Sequence, residues 1–125
     1  MVRSILIVDD NAFIRKALCE RFTREEDFEI CGEAENGRDA IEKAQQLRPD
    51  LIVLDMSMPV MNGLDAARVL KRLMPRVLLM MYSAFGDRYM EQQAFLLGIS
   101  SVISKSEPAT TVVGTARSLL AQTAA

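Results

Sequence analysis

Residues 51–63 read Leu-Ile-Val-Leu-Asp-Met-Ser-Met-Pro-Val-Met-Asn-Gly, and the change of character inside that stretch decides the fold. Leu51 to Leu54 is an unbroken run of large apolar residues, as expected of a parallel strand covered on both faces. It stops at Asp55. Asn62 then supplies an N-cap for a helical pattern of Ala66, Ala67, Leu70, Leu73 and Met74. Working outward, Ile5 to Val8 and Val77 to Met81 are two more continuous apolar runs. Phe28, Ile30, Gly32 and Ala34 instead alternate with Glu29, Cys31 and Glu33, the pattern of a half-exposed edge strand. Ile99 to Ile103 is short and serine-rich and reads as the other edge. Between these runs lie helical patterns. They carry Ile14, Leu18 and Phe22, then Ala40, Ile41, Ala44 and Leu47 after Asn36-Gly37, then Met90, Ala94 and Leu97 stopping at Gly98. The last carries Val112, Ala116 and Leu119 after Pro108. That last helix contains Thr110, Thr111, Val112, Val113, Gly114 and Thr115, all poor helix formers, so packing must hold it. Five β/α repeats imply an α/β fold, a doubly wound parallel five-stranded sheet with helices on both faces.

The chain has 125 residues, which suits one compact domain over 1–125. Fifteen basic and 17 acidic residues give a formal charge of −2, which argues against nucleic-acid binding by this domain itself. The start has only a short apolar run before two acids, neither a signal peptide nor a membrane span, so no membrane association and a cytoplasmic location are expected. The absence of histidine removes His-based general base catalysis and most zinc chemistry. Cys19 and Cys31 are not in a CxxC pair and read as buried structural thiols; the eight methionines read mostly as core filler. The alanine-rich segment from Ala121 to Ala125 reads as a tail.

Sheets of this kind bind ligands beyond the carboxyl ends of their strands. Asp9 and Asp10 stand there after the first strand, Asp55 after the third, Ser83 after the fourth and Lys105 after the fifth. If the first and third strands are neighbours, three carboxylates converge, and they repel unless a cation is present. Aspartate oxygens without His or Cys favour Mg²⁺, with Mn²⁺ as the alternative. Asp9-Asp10-Asn11 would repel a bare phosphate, which excludes a cofactor loop of the flavodoxin kind. An acidic metal site with a lysine and a hydroxyl suits phosphoryl transfer to a carboxylate.

At this point the chain resembles a known family. VDDN at 8–11, LDMSMPVMNG at 54–63, YSA at 82–84 and SK at 104–105 are similar, in order and spacing, to the receiver domain of two-component response regulators. The resemblance covers essentially the whole chain. The edge character of the second strand fits the flavodoxin-like strand order 2-1-3-4-5, a known template for such domains. The resemblance implies a phosphorylation-activated switch in which a sensor histidine kinase or phosphotransfer protein passes a phosphoryl group to Asp55. It implies Mg²⁺ held by Asp10, Asp55 and the main-chain carbonyl of Ser57, with Asp9 helping through water. It implies that Ser83 and Lys105 contact the phosphoryl oxygens, and that Met58, Pro59 and Gly63 shape the loop after Asp55. The output would be a domain or partner, transcription regulation and phosphorylation-linked homodimerisation among the options.

The chain departs from the family in two places. Val102 stands three residues before Lys105, where the family often has an aromatic switch residue, and Ser106 follows the lysine where a proline is common. Switching is therefore expected through movement of the fourth helix, by way of the Ala84-Phe85-Gly86-Asp87 loop, with Phe95 and Leu96 as output-face residues beside Val102. Two rival readings fit the residues less well. A haloacid-dehalogenase-like phosphatase would place its nucleophile in a DxD after the first strand, whereas this chain has adjacent Asp9-Asp10. A receiver-like module that binds partners without phosphorylation would not need the intact acidic set. No turnover of an external substrate is expected.

Overall fold

The structure, a computed structural model, describes residues 1–84 and 88–123. Phe85, Gly86 and Asp87 of the expected relay loop, and the last two alanines, lie outside the described residues. Strands β1 (Arg3–Val8), β2 (Phe28–Ala34), β3 (Leu51–Leu54), β4 (Leu78–Ser83) and β5 (Ser101–Ser104) alternate with helices α1 (Ala12–Thr23), α2 (Gly37–Leu47), α3 (Gly63–Leu73), α4 (Arg88–Leu96) and α5 (Ala109–Thr123). All strand pairs are parallel, in the order β2-β1-β3-β4-β5. The two strands read as edges are the edges, and β1 neighbours β3, as the site requires.

Side-chain alternation along the central strands feeds two cores. Leu6, Val8, Ile52, Leu54, Leu79 and Met81 pack with residues of α2, α3 and α4. Ile5, Ile7, Leu51, Val53, Met80 and Tyr82 pack with Leu18 and Phe22 of α1 and Val112, Val113, Ala116 and Leu120 of α5. These α5 contacts hold a helix whose own propensity is poor. Ala121 to Thr123 belong to α5 rather than to a loose tail. Asn11, Asn36 and Asn62 cap α1, α2 and α3 by accepting hydrogen bonds from the first-turn N–H groups.

Three details differ from the sequence-based expectation. The alternation in β2 is broken by a bulge: Ile5 is opposite Ile30 and Leu6 opposite Gly32, so Cys31 is an extra residue. The bulge moves the end of the strand to the other face: Phe28 and Ile30 pack in the layer of α1 and α5, whereas Ala34, beyond the bulge, packs beside Cys31 in the core beneath α2 and α3. Both cysteines are free and half-buried rather than buried, and they pack on opposite faces of the sheet. Burial, followed by the charge of Glu33, pushes the Cys19 thiol up to about 11, so it stays protonated at neutral pH. Finally, Val77 precedes β4, which runs on to Ser83, and Ile99 precedes β5.

Candidate functional site

The carboxyl ends of β1, β3, β4 and β5 form one edge of the sheet, and main-chain hydrogen bonds fix the residues just past them. The Asp9 N–H donates to the Ala34 carbonyl at 3.0 Å, and the Asp55 N–H to the Val8 carbonyl at 2.9 Å. The ladder thus continues one residue beyond each strand and sets both aspartates at the rim. The Lys105 N–H donates to the Ser83 carbonyl at 2.9 Å, which places the lysine beside the end of β4.

Asp9 and Asp55 are buried and Asp10 is exposed. One carboxylate oxygen from each of the three lies within 4.8 Å of the others, an arrangement that could hold a metal ion. The Lys105 Nζ bridges two of them, at 2.7 Å from Asp9 Oδ2 and 3.3 Å from Asp55 Oδ1. Burial, then the charge of Asp9, raises Asp55 to about 6, although Lys105 pulls the other way. Burial would lower Lys105, but its hydrogen bond to Asp9 and the charges of Asp55 and Asp9 outweigh that and hold it above the usual lysine value. One lysine cannot neutralise three carboxylates, so the cluster keeps a net negative charge. A hard cation with oxygen ligands suits that donor set.

The loop after Asp55 is shaped by close approach. The Gly63 N–H donates to the Met56 carbonyl at 2.7 Å, and a Cβ on Gly63 would lie 2.2 Å from the Asp55 carbonyl oxygen. Gly63→Ala must therefore displace the Asp55 loop. We expect a destabilisation of roughly 1–3 kcal/mol, measured by urea unfolding. Val60 in the same loop sits at φ 69, a strained left-handed conformation for a β-branched residue. Met58 is half-buried against the core beside α2 and α3, whereas Ser57 and Pro59 are exposed.

Sequence reading places Asp9, Asp10, Asp55 and Lys105 together, with Ser83 at the adjoining strand end. It does not find two supporting residues. The Arg15 guanidinium donates to the Asp9 carbonyl at 2.7 Å and pairs with Glu33 at 3.2 Å. The Tyr82 hydroxyl donates to the Glu107 carbonyl at 2.6 Å, tying the loop after Lys105 to β4. The available signal was position: Arg15 follows the Asn11 cap by one helical turn, and Tyr82 directly precedes Ser83. Phe95 and Leu96 lie outside the cluster, 52% and 79% exposed on α4, and Val102 is half-buried against the core on the α4 side. Of the core-facing positions expected there, Met90 and Ala94 are buried, and Leu97 is half-buried just past the helix.

Comparison with known proteins agrees with this geometry. The family model described as the response regulator receiver domain matches residues 5–117. The chemotaxis protein CheY of Thermotoga maritima is 39% identical over 105 residues, covering 84% of this chain and 87% of that protein. A protein-glutamate methylesterase/protein-glutamine glutaminase of Pyrococcus horikoshii is 49% identical over 71 residues, but the match takes in only 19% of that longer protein. Among solved structures, the CheX–CheY–BeF3–Mg²⁺ complex from Borrelia burgdorferi is similar at 28% identity, covering 94% of this chain and 89% of that one, with a TM-score of 0.89. With the parallel 2-1-3-4-5 sheet and the acidic cluster at its carboxyl edge, these findings make the chain a member of the response regulator receiver domain family.

Proposed function

We propose that Asp55 is the phosphoacceptor of a Mg²⁺-dependent two-component switch. The observation that carries the assignment is the convergence of Asp9, Asp10 and Asp55 within 4.8 Å, with Lys105 bridging Asp9 and Asp55. An Asp55 carboxylate oxygen attacks the phosphorus of a phosphohistidine on a sensor kinase or phosphotransfer protein. The P–O bond forms, the P–N bond breaks, and the imidazole leaves and takes up a proton from water. Asp10, Asp55 and the Ser57 carbonyl would hold the cation, with Asp9 helping through water. Mg²⁺, or Mn²⁺ in its place, supplies positive charge against the carboxylates and the transferring group. A CheY relative in complex with CheX was solved with BeF3 and Mg²⁺, which supports this reading. The site accepts and loses one phosphoryl group and turns over no external substrate.

Lys105 and Ser83 convert the phosphate into a signal, because each gains a phosphoryl contact only once the group is present. Lys105→Ala and Ser83→Ala should still accept phosphate, more slowly, yet lose the phosphorylation-linked change in NMR amide shifts. Changes of wild-type size in both variants would remove these roles.

The output passes through α4 and β5. Val102 is short and stiff at χ1, so a small shift of α4 carries the signal in place of an aromatic swing. Phe95 and Leu96 are its exposed apolar contacts, toward an output partner or a second phosphorylated copy, and each could contribute ~1.5–3 kcal/mol when buried. Replacing both with Ser should weaken phosphorylation-dependent association, read by light scattering with BeF3 as phosphoryl mimic, and leave phosphorylation intact. Equal association of the double variant would move the interface elsewhere, first to α1 and α5. The domain acts in the cytoplasm and does not bind nucleic acid by itself. Among the described residues no helix is long and apolar enough to cross a membrane.

A further inference from the structure

At the opposite pole of the sheet, where the strands begin, the α2–β3 and α3–β4 connections and the last turn of α5 enclose an open cavity of about 470 Å³. That size is typical of small-ligand sites. Its floor is apolar, with Met74, Val77 and Leu120 all buried. Its rim carries three arginines, Arg3, Arg48 and Arg76.

Their placement sets these arginines apart, since all three gather on one cavity rim. None of the three side chains forms an ion pair or hydrogen bond among the described residues, which is also true of Arg24, Arg38, Arg72 and Arg88, whereas seven other cationic side chains pair with carboxylates. The carboxylate among the lining residues, Asp50, is already occupied, with Oδ2 accepting from the Ser4 N–H at 2.8 Å and the Ser4 hydroxyl at 3.3 Å. Arg48 also sits in the left-handed conformation, φ 50 and ψ 58, at the end of α2. Glycine or asparagine would be cheaper there, so backbone geometry does not explain an arginine.

Arginines near helix ends often answer unpaired carbonyls and the helix dipole. Here other groups do much of that work. The Lys71 ammonium donates to the Pro75 and Val77 carbonyls at 3.0 Å each, and the Thr123 hydroxyl donates to Leu120 at 2.9 Å. The guanidinium groups remain available, and Pro49 and Pro75 stiffen the two connections that present Arg48 and Arg76.

We propose that this cavity is a second binding site, for a small organic anion with an apolar body. The acidic head is held by Arg48 and Arg76, with Arg3 nearby, and the body lies on Met74, Val77 and Leu120. The charge balance of the lining, three arginines against one occupied carboxylate, selects an anion, and the buried floor selects an amphiphile over a bare ion.

The test is an amide-shift titration of the intact chain at constant pH and ionic strength. Benzoate and benzenesulfonate are the probes, with benzyl alcohol and sulfate as the neutral and purely ionic controls. Saturable shifts at Arg48, Asp50 and Val77 are expected with both probes. Binding should be about tenfold weaker with either control, and about tenfold weaker in an Arg48→Asn, Arg76→Ser double variant. Both substituted side chains are exposed, and asparagine tolerates the left-handed backbone, so the variant should fold. Sulfate binding as well as the probes would reduce the feature to surface charge and overturn the proposal. So would equal binding of benzyl alcohol, unchanged binding in the double variant, or shifts that never saturate.

Discussion

Asp55→Asn should abolish covalent phosphate while leaving the fold intact. The substitution keeps the shape of the side chain and its place after β3, where the Asp55 N–H still donates to the Val8 carbonyl. It removes the proposed nucleophile, and an amide oxygen is a far weaker one than a carboxylate. It also removes a buried charge beside Asp9; burial, together with repulsion from Asp9, holds Asp55 up to about 6. The variant should therefore be no less stable than the wild type at neutral pH, since the charge that is lost was an unfavourable one in the folded state. Intact mass after incubation with Mg²⁺ and a small acyl phosphate should show no added phosphoryl group, and urea unfolding should show an unchanged or higher midpoint. A phosphorylated Asp55→Asn protein would exclude Asp55 as acceptor.

Asp10→Ala should weaken Mg²⁺ binding by about tenfold or more, equivalent to ~1.4 kcal/mol or above, because a direct carboxylate and its charge vanish together. The effect should be confined to the metal. Asp10 is exposed, and the Lys105 bridge runs to Asp9 and Asp55, so the ion pairs at the core of the site survive the change. Calorimetric titration with Mg²⁺ measures the loss directly, and phosphorylation at limiting Mg²⁺ should slow in parallel. Unchanged affinity would mean that the cation is held elsewhere.

Much of this architecture was legible in the sequence because the central strands are apolar on both faces, and only a sheet covered by two helical layers buries such runs. Leu51 to Leu54 and Ile5 to Val8 carry that message without ambiguity. Asp9 and Asp55 were legible because each directly follows such a run, and Lys105 because it stands just past the short, serine-rich fifth strand; topology then brings the strand ends together. Edge β2 was harder. Period-two alternation grouped Ala34 with Phe28 and Ile30 on one face, but the bulge inserts Cys31 and moves Ala34 to the opposite face. A bulge depends on pairing with β1 and leaves no periodic trace. The roles of Arg15 and Tyr82 were hidden for a related reason: both bond main-chain carbonyls, and the direction of a carbonyl has no residue-type signature. The rim arginines are similar. Arg3, Arg48 and Arg76 are far apart in the chain and meet only because the strand starts share one pole.

The central claim is that phosphate resides on Asp55, and borohydride trapping tests it most directly. The wild-type protein, phosphorylated by a small acyl phosphate with Mg²⁺, is reduced and digested, and its peptides are sequenced. An aspartyl phosphate is reduced to homoserine, so the account predicts homoserine in place of Asp55 and in no other position. Homoserine at Asp9 or Asp10, or none at any position despite full Mg²⁺ occupancy, would contradict it.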